Sequence, residues 1–376
     1  MKLLILSCNT GAGHNSVASA LKEAFSDKGD ECEIVDALSF LPPGWSQIAS
    51  DMHSYIYKKA PELFRKGYEH AENHRSQFEQ GHATRNLIDV GVSKLGRFIK
   101  KQKYDAVLCS HVFAGLMLSD AIKRYSLDIQ SGIVETDYTV TPGTEESDLD
   151  WHFVPTSDQI GPLSEMGVPD EKIVVSGIPV RNQFYRYLPK AIAKTKMGLN
   201  PEKNNILISC GSMGCGPIEE IIAGLEAEHT DRFEVTIICG SNQKLFELLD
   251  SRYRTQEYIH VLKKVENMSI ALDAAEVYIT KPGGISTTEA AIKGVPMVFV
   301  DAVGGCEQYN MNYFLSYGGA VTENTIFGLV QDALWIISNR QCQMSMREQL
   351  RKAVSENNRE IITDVFSQKS EKAAGI

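Results

Sequence analysis

Apolar runs of four to seven residues recur along the chain, at 2–7, 32–35, 104–110, 129–134, 151–155 and 172–175. A second series follows at 205–209, 233–239, 258–262, 276–280 and 296–300. These runs are nearly continuous rather than alternating, which is the pattern of strands covered on both faces of a parallel sheet. Between them the apolar positions move to helical spacing, as at Val17, Ala18, Ala20, Leu21, Ala24 and Phe25. Helices are predicted in the same way at 243–249, 268–275, 329–337 and 346–366. Strand and helix alternating this regularly predict α/β architecture with doubly wound parallel sheets. The two series predict two Rossmann-like domains, over 1–185 and 196–345, followed by a C-terminal segment over 346–376. The stretch 44–103 breaks the alternation and reads as a helical insertion carrying Trp45, Ile48, Met52, Tyr55, Leu63, Phe64, Tyr68 and Phe78.

Composition narrows the classes. A chain of 376 residues is long enough for two domains that each bury a core. A net charge of −10 argues against broad nucleic-acid binding. The eight cysteines form no C-x-x-C pair, and Met1–Ser7 reads as a strand rather than a secretory leader, so a cytoplasmic protein with reduced thiols is expected. No apolar run approaches the roughly 20 residues that span a bilayer, so membrane contact is expected to be peripheral. Residues 51–103 hold 11 Lys/Arg against 6 Asp/Glu, with clusters at Lys58-Lys59, Arg65-Lys66 and Lys100-Lys101-x-Lys103. Aromatic amphipathic helices with cationic rims suit anionic lipid surfaces. A solvated face over an ordinary core fits the same residues.

The candidate chemistry concentrates in 280–314. A strand runs into Lys281-Pro282-Gly283-Gly284, and a helix is predicted to open on Ser286, Thr287 and Thr288, whose hydroxyls would cap it, with Glu289 one turn in. Glycines followed by a helix N-terminus favour an anion such as a diphosphate, and a carboxylate at Glu289 can accept two hydroxyl hydrogen bonds from a ribose. After the next strand a loop is predicted with Gly304, Gly305, Cys306, Glu307, Gln308, Asn310 and Asn312, groups that bond sugar hydroxyls. Gly211-Ser212-Met213-Gly214 before Pro217 makes a second anion-ready turn. In the first half, Gly11-Ala12-Gly13-His14 follows the first strand, His111 ends the strand at 104–110, and Asp137 follows the strand at 129–134. Gly11 and Gly13 with Asp36 also read as a degraded dinucleotide fingerprint. His14 and Asp137, taken alone, read equally as turn or cap residues.

The order strand, K-P-G-G, S-x-x-E, strand, G-x-E-x-x-N resembles the monogalactosyldiacylglycerol synthase and processive diacylglycerol glucosyltransferase family. Those are inverting, UDP-sugar-dependent glycosyltransferases of the two-domain GT-B fold, more distantly similar to MurG. The resemblance implies an acceptor domain and a donor domain facing across a cleft, with the final helix returning to the first domain. It implies His14 as general base, Asp137 as orienter or alternative base, and Gly13, Tyr55, His111 and Tyr138 near the acceptor. In the donor domain it implies Gly211, Ser212, Met213, Gly214, Lys281, Gly283, Gly284, Ser286 and Thr287 at the diphosphate and Glu289 at the ribose. Val265 and Met268 would face uracil, and Glu307, Gln308 and Asn310 the sugar. No metal or other cofactor is required. The expected partners are a UDP-sugar, a diacylglycerol-like acceptor and an anionic membrane surface on the cytoplasmic side, with homodimerisation left open. The T-D-Y-T-x-x-P-x-x-E-E wording at 136–146 resembles one bacterial branch; the H-x-x-W of other members is absent, and Cys306 stands where Gln is common. A soluble acceptor, a UDP-sugar epimerase or hydrolase, an NAD-binding oxidoreductase and a non-catalytic binding protein are the rival readings.

Overall fold

The computed structural model describes residues 1–9, 11–79, 82–302, 304–354 and 358–374. The chain folds as two compact units, one built on Met1–Asn182 with Val303–Cys306 and Asn357–Ile376, the other on Gln183–Ala302 and Glu307–Glu356.

The first unit contains β1 (Lys2–Ser7), α1 (Ala12–Asp27), β2 (Glu31–Asp36), α2 (Trp45–Lys59), α3 (Pro61–Asn73), α4 (Ala83–Gln102) and β3 (Ala106–Cys109). It continues through α5 (Val112–Tyr125), β4 (Gln130–Val134), β5 (Trp151–Val154), α6 (Ile160–Glu165) and β6 (Ile173–Val175). Its six strands are all parallel in the order β2-β1-β3-β4-β5-β6. Leu3 to Leu6 are fully buried, because helices cover both faces of the strand. One face packs Leu4, Leu6 and Val107 against Val92, Leu95, Leu116 and Met117 of α4 and α5.

The second unit contains α7 (Lys190–Lys196), β7 (Asn204–Ile208), α8 (Ile218–Ala227), β8 (Phe233–Ile238), α9 (Gln243–Tyr253), β9 (Ile259–Leu262), α10 (Met268–Ala274), β10 (Val277–Thr280) and α11 (Gly284–Lys293). After these come β11 (Met297–Phe299), α12 (Cys306–Tyr317), β12 (Ala320–Thr322), α13 (Ile326–Ser338) and α14 (Arg340–Ala353). Its sheet is again parallel, in the order β12-β11-β10-β7-β8-β9. The doubly wound α/β class read from the sequence is therefore correct for both halves. In each sheet the strand order reverses once, between β1 and β3 and between β7 and β10, and ligands of open α/β sheets sit at the carboxyl ends of such a reversal.

Two readings need correction. The single helix expected over 346–366 is two helices: α14 stops at Val354, which is extended (φ −128°, ψ 144°), and α15 (Asn358–Ala374) begins anew. Asn358 is buried and its side-chain amide donates to the Ile178 carbonyl at 2.7 Å, so it serves a tertiary contact instead of a continuous helix. Helix α15 then packs in the first unit, with Phe366 edge-on to Phe25. The strand β12 was not foreseen; three residues after Gly318-Gly319 are too few to show a period, and β11 supplies its register.

The second unit is braced by buried ions. Lys293 is fully buried, donates to Asp273 at 2.8 Å and to the Arg186 carbonyl at 2.5 Å, and lies over the Tyr187 ring. Removing one member of such a pair leaves the other charge uncompensated. Asp273→Ala is expected to cost about 3–5 kcal/mol, read as a lower urea midpoint for the transition of this unit.

Candidate functional site

In the first unit the turns after β1, β3 and β4 meet on the side chain of His14. Its place in the opening turn of α1 puts it above the carboxyl end of the sheet. His14 Nδ1 lies 2.7 Å from the carbonyl of Ser110, the residue after β3. A carbonyl only accepts, so Nδ1 carries the proton and Nε2 keeps its lone pair. The Ser110 hydroxyl donates back to the His14 carbonyl at 3.1 Å, which fastens the two turns together from both sides. Thr136 places its Oγ1 3.3 Å from the same Nδ1 and donates to Asp137 Oδ2 at 3.2 Å, so Asp137 reaches the imidazole through a threonine hydroxyl. Burial holds the His14 pKa below the ordinary 6.5; the Asp137 charge and the Ser110 bond oppose that shift. The ring is therefore an unprotonated base at neutral pH.

His111 stacks edge-on against His14 at 4.6 Å and caps α5, its Nδ1 accepting from Phe113 N–H at 3.1 Å. Beneath Asp137 lies Glu135, whose carboxylate accepts from the Thr141 hydroxyl at 2.6 Å, the Thr144 hydroxyl at 2.7 Å and the Thr141 N–H at 3.2 Å. Burial pushes its carboxyl up to about 7 despite these donors. Glu135 thus holds the loop that carries Asp137 and Tyr138. Tyr138 is buried, and its carbonyl accepts from Gln159.

In the second unit the glycine turn after β7, at the β7/β10 reversal, interlocks with the turn after β8. Gly211, Gly214 and Gly216 have φ of +70°, +56° and +152°, and a Cβ on Gly214 would stand 2.3 Å from the Cys239 carbonyl. The turn after β8 is fastened to this one by Ser241 N–H to the Ser212 carbonyl at 2.8 Å and Asn242 Nδ2 to the Gly214 carbonyl at 3.0 Å. Lys281, after β10, carries its chain to within 3.9 Å of where a Gly216 Cβ would be. Gly283 is the N-cap of α11 and offers no side-chain cap to the first-turn N–H groups, which together with the Lys281 ammonium make this strand end favourable for an anion. Glu289 and Glu307 are buried and Asn310 is fully buried. Cys210 is pushed up to about 12 by burial, with Lys281 lowering and Glu307 raising it. Val265 and Met268 are half-buried between β9 and the start of α10.

The expectations from the sequence change in four places. Ser286, Thr287 and Thr288 do not cap α11: their hydroxyls donate backward to the carbonyls of Gly283 and Gly284, at 2.7–3.1 Å, because the helix opens two residues earlier than read. The loop expected around Glu307, Gln308 and Asn310 is the first turn of α12, which turns Glu307 and Asn310 inward and leaves Gln308 exposed, bonded to Asn312 at 3.0 Å. Tyr55 is 66% exposed on α2, on an outer stripe with Trp45, Ile48 and Met52, and not in the His14 cluster. Arg65 is held by Glu62 at 2.7 Å and Glu69 at 2.6 Å, so the Arg65-Lys66 cluster is less cationic than its sequence; the side chains of Lys58 and Lys59 lie outside the described residues.

Sequence reasoning passed over Ser110, Thr136 and Glu135. Each sits next to a residue it did name, and the positions after strand ends were the available signal. The dinucleotide reading loses its ribose acceptor, since the Asp36 oxygens already accept from Asn9, Leu38 and Ser46. Among the described residues no group of three or more His, Cys, Asp or Glu is arranged to hold a metal, and no helix is long and apolar enough to cross a membrane.

Residues 14–180 match the family model of monogalactosyldiacylglycerol synthase, and residues 205–354 that of the glycosyltransferase family 28 C-terminal domain. The processive diacylglycerol beta-glucosyltransferase of Bacillus cytotoxicus is 30% identical over 328 residues, covering 85% of this chain and 81% of that protein. Among solved structures, Acinetobacter baumannii MurG superposes with a TM-score of 0.65 at 18% identity, covering 98% of this chain and 99% of that one. The Neisseria meningitidis UDP-GlcNAc 2-epimerase bound to UDP-GlcNAc gives 0.64 at 14% identity, covering 98% of this chain and all (100%) of that one. At these identities the two structures establish the fold. The chain belongs to the monogalactosyldiacylglycerol synthase and processive diacylglycerol glucosyltransferase family of GT-B glycosyltransferases.

Proposed function

We propose that this protein transfers a hexosyl group from a UDP-sugar to a hydroxyl of diacylglycerol with inversion at the anomeric carbon. The observation that carries the reading is His14, with Nδ1–H committed to Ser110 and Nε2 left as a lone pair. In the reaction Nε2 takes the proton of the acceptor hydroxyl as its oxygen bonds to the anomeric carbon. The bond from that carbon to the β-phosphate oxygen breaks on the opposite face, and UDP leaves with the electron pair. Asp137, through Thr136, stabilises the imidazolium that forms. Lys281, the first turn of α11 and the Gly211–Gly216 turn receive the growing charge on the diphosphate. Glu289 accepts the ribose hydroxyls, Val265 and Met268 flank uracil, and Glu307, Gln308 and Asn310 read the sugar. His111 and Tyr138 flank the acceptor.

The acceptor is a bilayer lipid, so the enzyme works at a membrane surface. Trp45, Ile48, Met52 and Tyr55 recur at helical spacing along α2, are 41–66% exposed, and are joined by exposed Leu63 of α3. Such a stripe with Lys66 beside it fits the boundary layer of an anionic bilayer.

UDP release should be measured over a panel of UDP-sugars with and without diacylglycerol in mixed vesicles. Release that requires diacylglycerol is the expected result; release indifferent to lipid moves the acceptor elsewhere, and no binding of any UDP-sugar ends the reading. His14→Ala should lower transfer by roughly 10²-fold or more, the scale of a lost general base, with UDP affinity unchanged. The neutral ring is the active form and its pKa lies below 6.5, so activity should fall on the acid side of that value. Because the Asp137 charge raises that pKa, Asp137→Asn should move the acid limb of the pH profile to lower pH, besides slowing turnover. Ile48→Asp with Met52→Asp should lower vesicle binding at least about tenfold in a flotation assay, from lost apolar burial, while UDP binding is retained.

A further inference from the structure

Gly304, Gly305 and Cys306 follow β11 in sequence but pack with the first unit. Gly304 and Gly305 take φ of +88° and +63°, and α3 lies against them. A Cβ on Gly304 would stand 2.5 Å from Arg65 Cγ, and one on Gly305 would stand 2.7 Å from Tyr68 Cγ. The missing side chains let the Tyr68 ring rest on the backbone of this turn. Its hydroxyl is buried and makes no hydrogen bond to any described residue. Burial holds its pKa above the ordinary 10, and the Cys306 thiol and the carboxyl groups of Asp137, Glu72 and Glu135 act in the same direction. The phenol is therefore an uncharged donor at neutral pH. Arg65, beside Gly304, is already bonded to Glu62 and Glu69.

A buried donor without a partner costs stability, and a fold that keeps one has a use for it when a ligand supplies the acceptor atom. Tyr68 feels the charge of Asp137, which reaches His14 through the Thr136 hydroxyl. The missing acceptor atom therefore belongs to the molecule on which His14 acts. It is an uncharged atom, because three carboxyl groups act on this spot and would repel a phosphate oxygen. Diacylglycerol has one hydroxyl, which gives its proton to His14, and two esters, whose carbonyls only accept and so match a donor.

We propose that Tyr68 is an acceptor-binding residue whose hydroxyl donates to an ester carbonyl of diacylglycerol, beside the lipid hydroxyl that His14 deprotonates. The bond orients the glycerol so that its hydroxyl faces the base, and it selects a glycerol ester over an ether that offers no carbonyl. The turn at Gly304 and Gly305 is the seat that holds the phenol in place. This inference rests on the transferase reading above and adds the group on the lipid that is recognised.

Tyr68→Phe removes the hydroxyl and keeps the ring against Gly305. Because that hydroxyl has no partner in the free protein, the variant should unfold at the same urea concentration as the parent or a higher one. The kcat/KM is then compared, in mixed vesicles, on diacylglycerol and on the dialkyl ether of glycerol with the same chain lengths. The ether keeps the reacting hydroxyl and lacks both carbonyls. The parent should favour the diester by about tenfold, the scale of one hydrogen bond, and Tyr68→Phe should bring that ratio near one with UDP affinity unchanged. A diester-to-diether ratio that is the same in parent and variant overturns the inference and leaves the transferase reading intact. A lowered urea midpoint in Tyr68→Phe overturns it as well, since the hydroxyl would then serve the fold. Transfer to neither lipid by the folded parent removes the transferase reading, and this inference with it.

Discussion

The bond between His14 Nδ1 and the Ser110 carbonyl sets the chemistry of the first unit. It joins the turns after β1 and β3, the two strands between which the sheet order reverses, and it decides which ring nitrogen is basic. Neither turn could hold the ring alone. His14 sits in a first helical turn where the backbone is only half committed, and Ser110 is one residue beyond its strand. The parallel pairing of β1 with β3, Leu6 opposite Cys109, is what brings the carbonyl within reach. Strand register, set by buried apolar residues, thereby fixes a proton's position.

Carboxylates repeat this role around the site. Glu135 gathers Thr141 and Thr144 to shape the loop bearing Asp137, and Asp36 gathers Asn9, Leu38 and Ser46. The second unit uses backbone instead: three glycines of positive φ shape the turn after β7, and at Gly214 it approaches the next turn so closely that a Cβ would collide. In the proposed function the difference follows from what each unit would recognise: an anionic diphosphate favours N–H groups and a lysine, whereas an uncharged hydroxyl is compatible with acids close to the base.

The fold was legible because buried parallel strands are continuous apolar runs, and the turn after β7 was legible because Gly211 and Gly214 take positive φ and a Cβ on Gly214 would meet the Cys239 carbonyl. What escaped was tertiary. Ser286, Thr287 and Thr288 look like caps in one dimension, yet the glycines before them already begin the helix. Arg65 looks like part of a cationic patch, but Glu62 and Glu69, three and four residues away, neutralise it. Asp36 looked like the acid of a dinucleotide site; only the structure shows its oxygens occupied. Thr136 carried no signal beyond its place after a strand end, since a threonine beside an aspartate is ordinary until a histidine 122 positions away meets its hydroxyl.

Burial of His14 has opposing consequences for the base proposed there. Desolvation lowers the His14 pKa, which keeps Nε2 free at neutral pH but weakens it as a base. A carboxylate bonded directly to Nδ1 would reverse much of that loss, and would favour the charged ring before any acceptor arrived. Placing Asp137 one hydroxyl away is a compromise between the two. The neutral carbonyl of Ser110 fixes the tautomer in the resting state without favouring the charged ring as strongly as an anion would. The Asp137 charge, relayed by Thr136, acts most strongly when Nε2 has taken its proton and the ring is cationic. In the proposed transfer the interaction is therefore greater in the transition state than in the ground state, which is the condition for it to raise kcat.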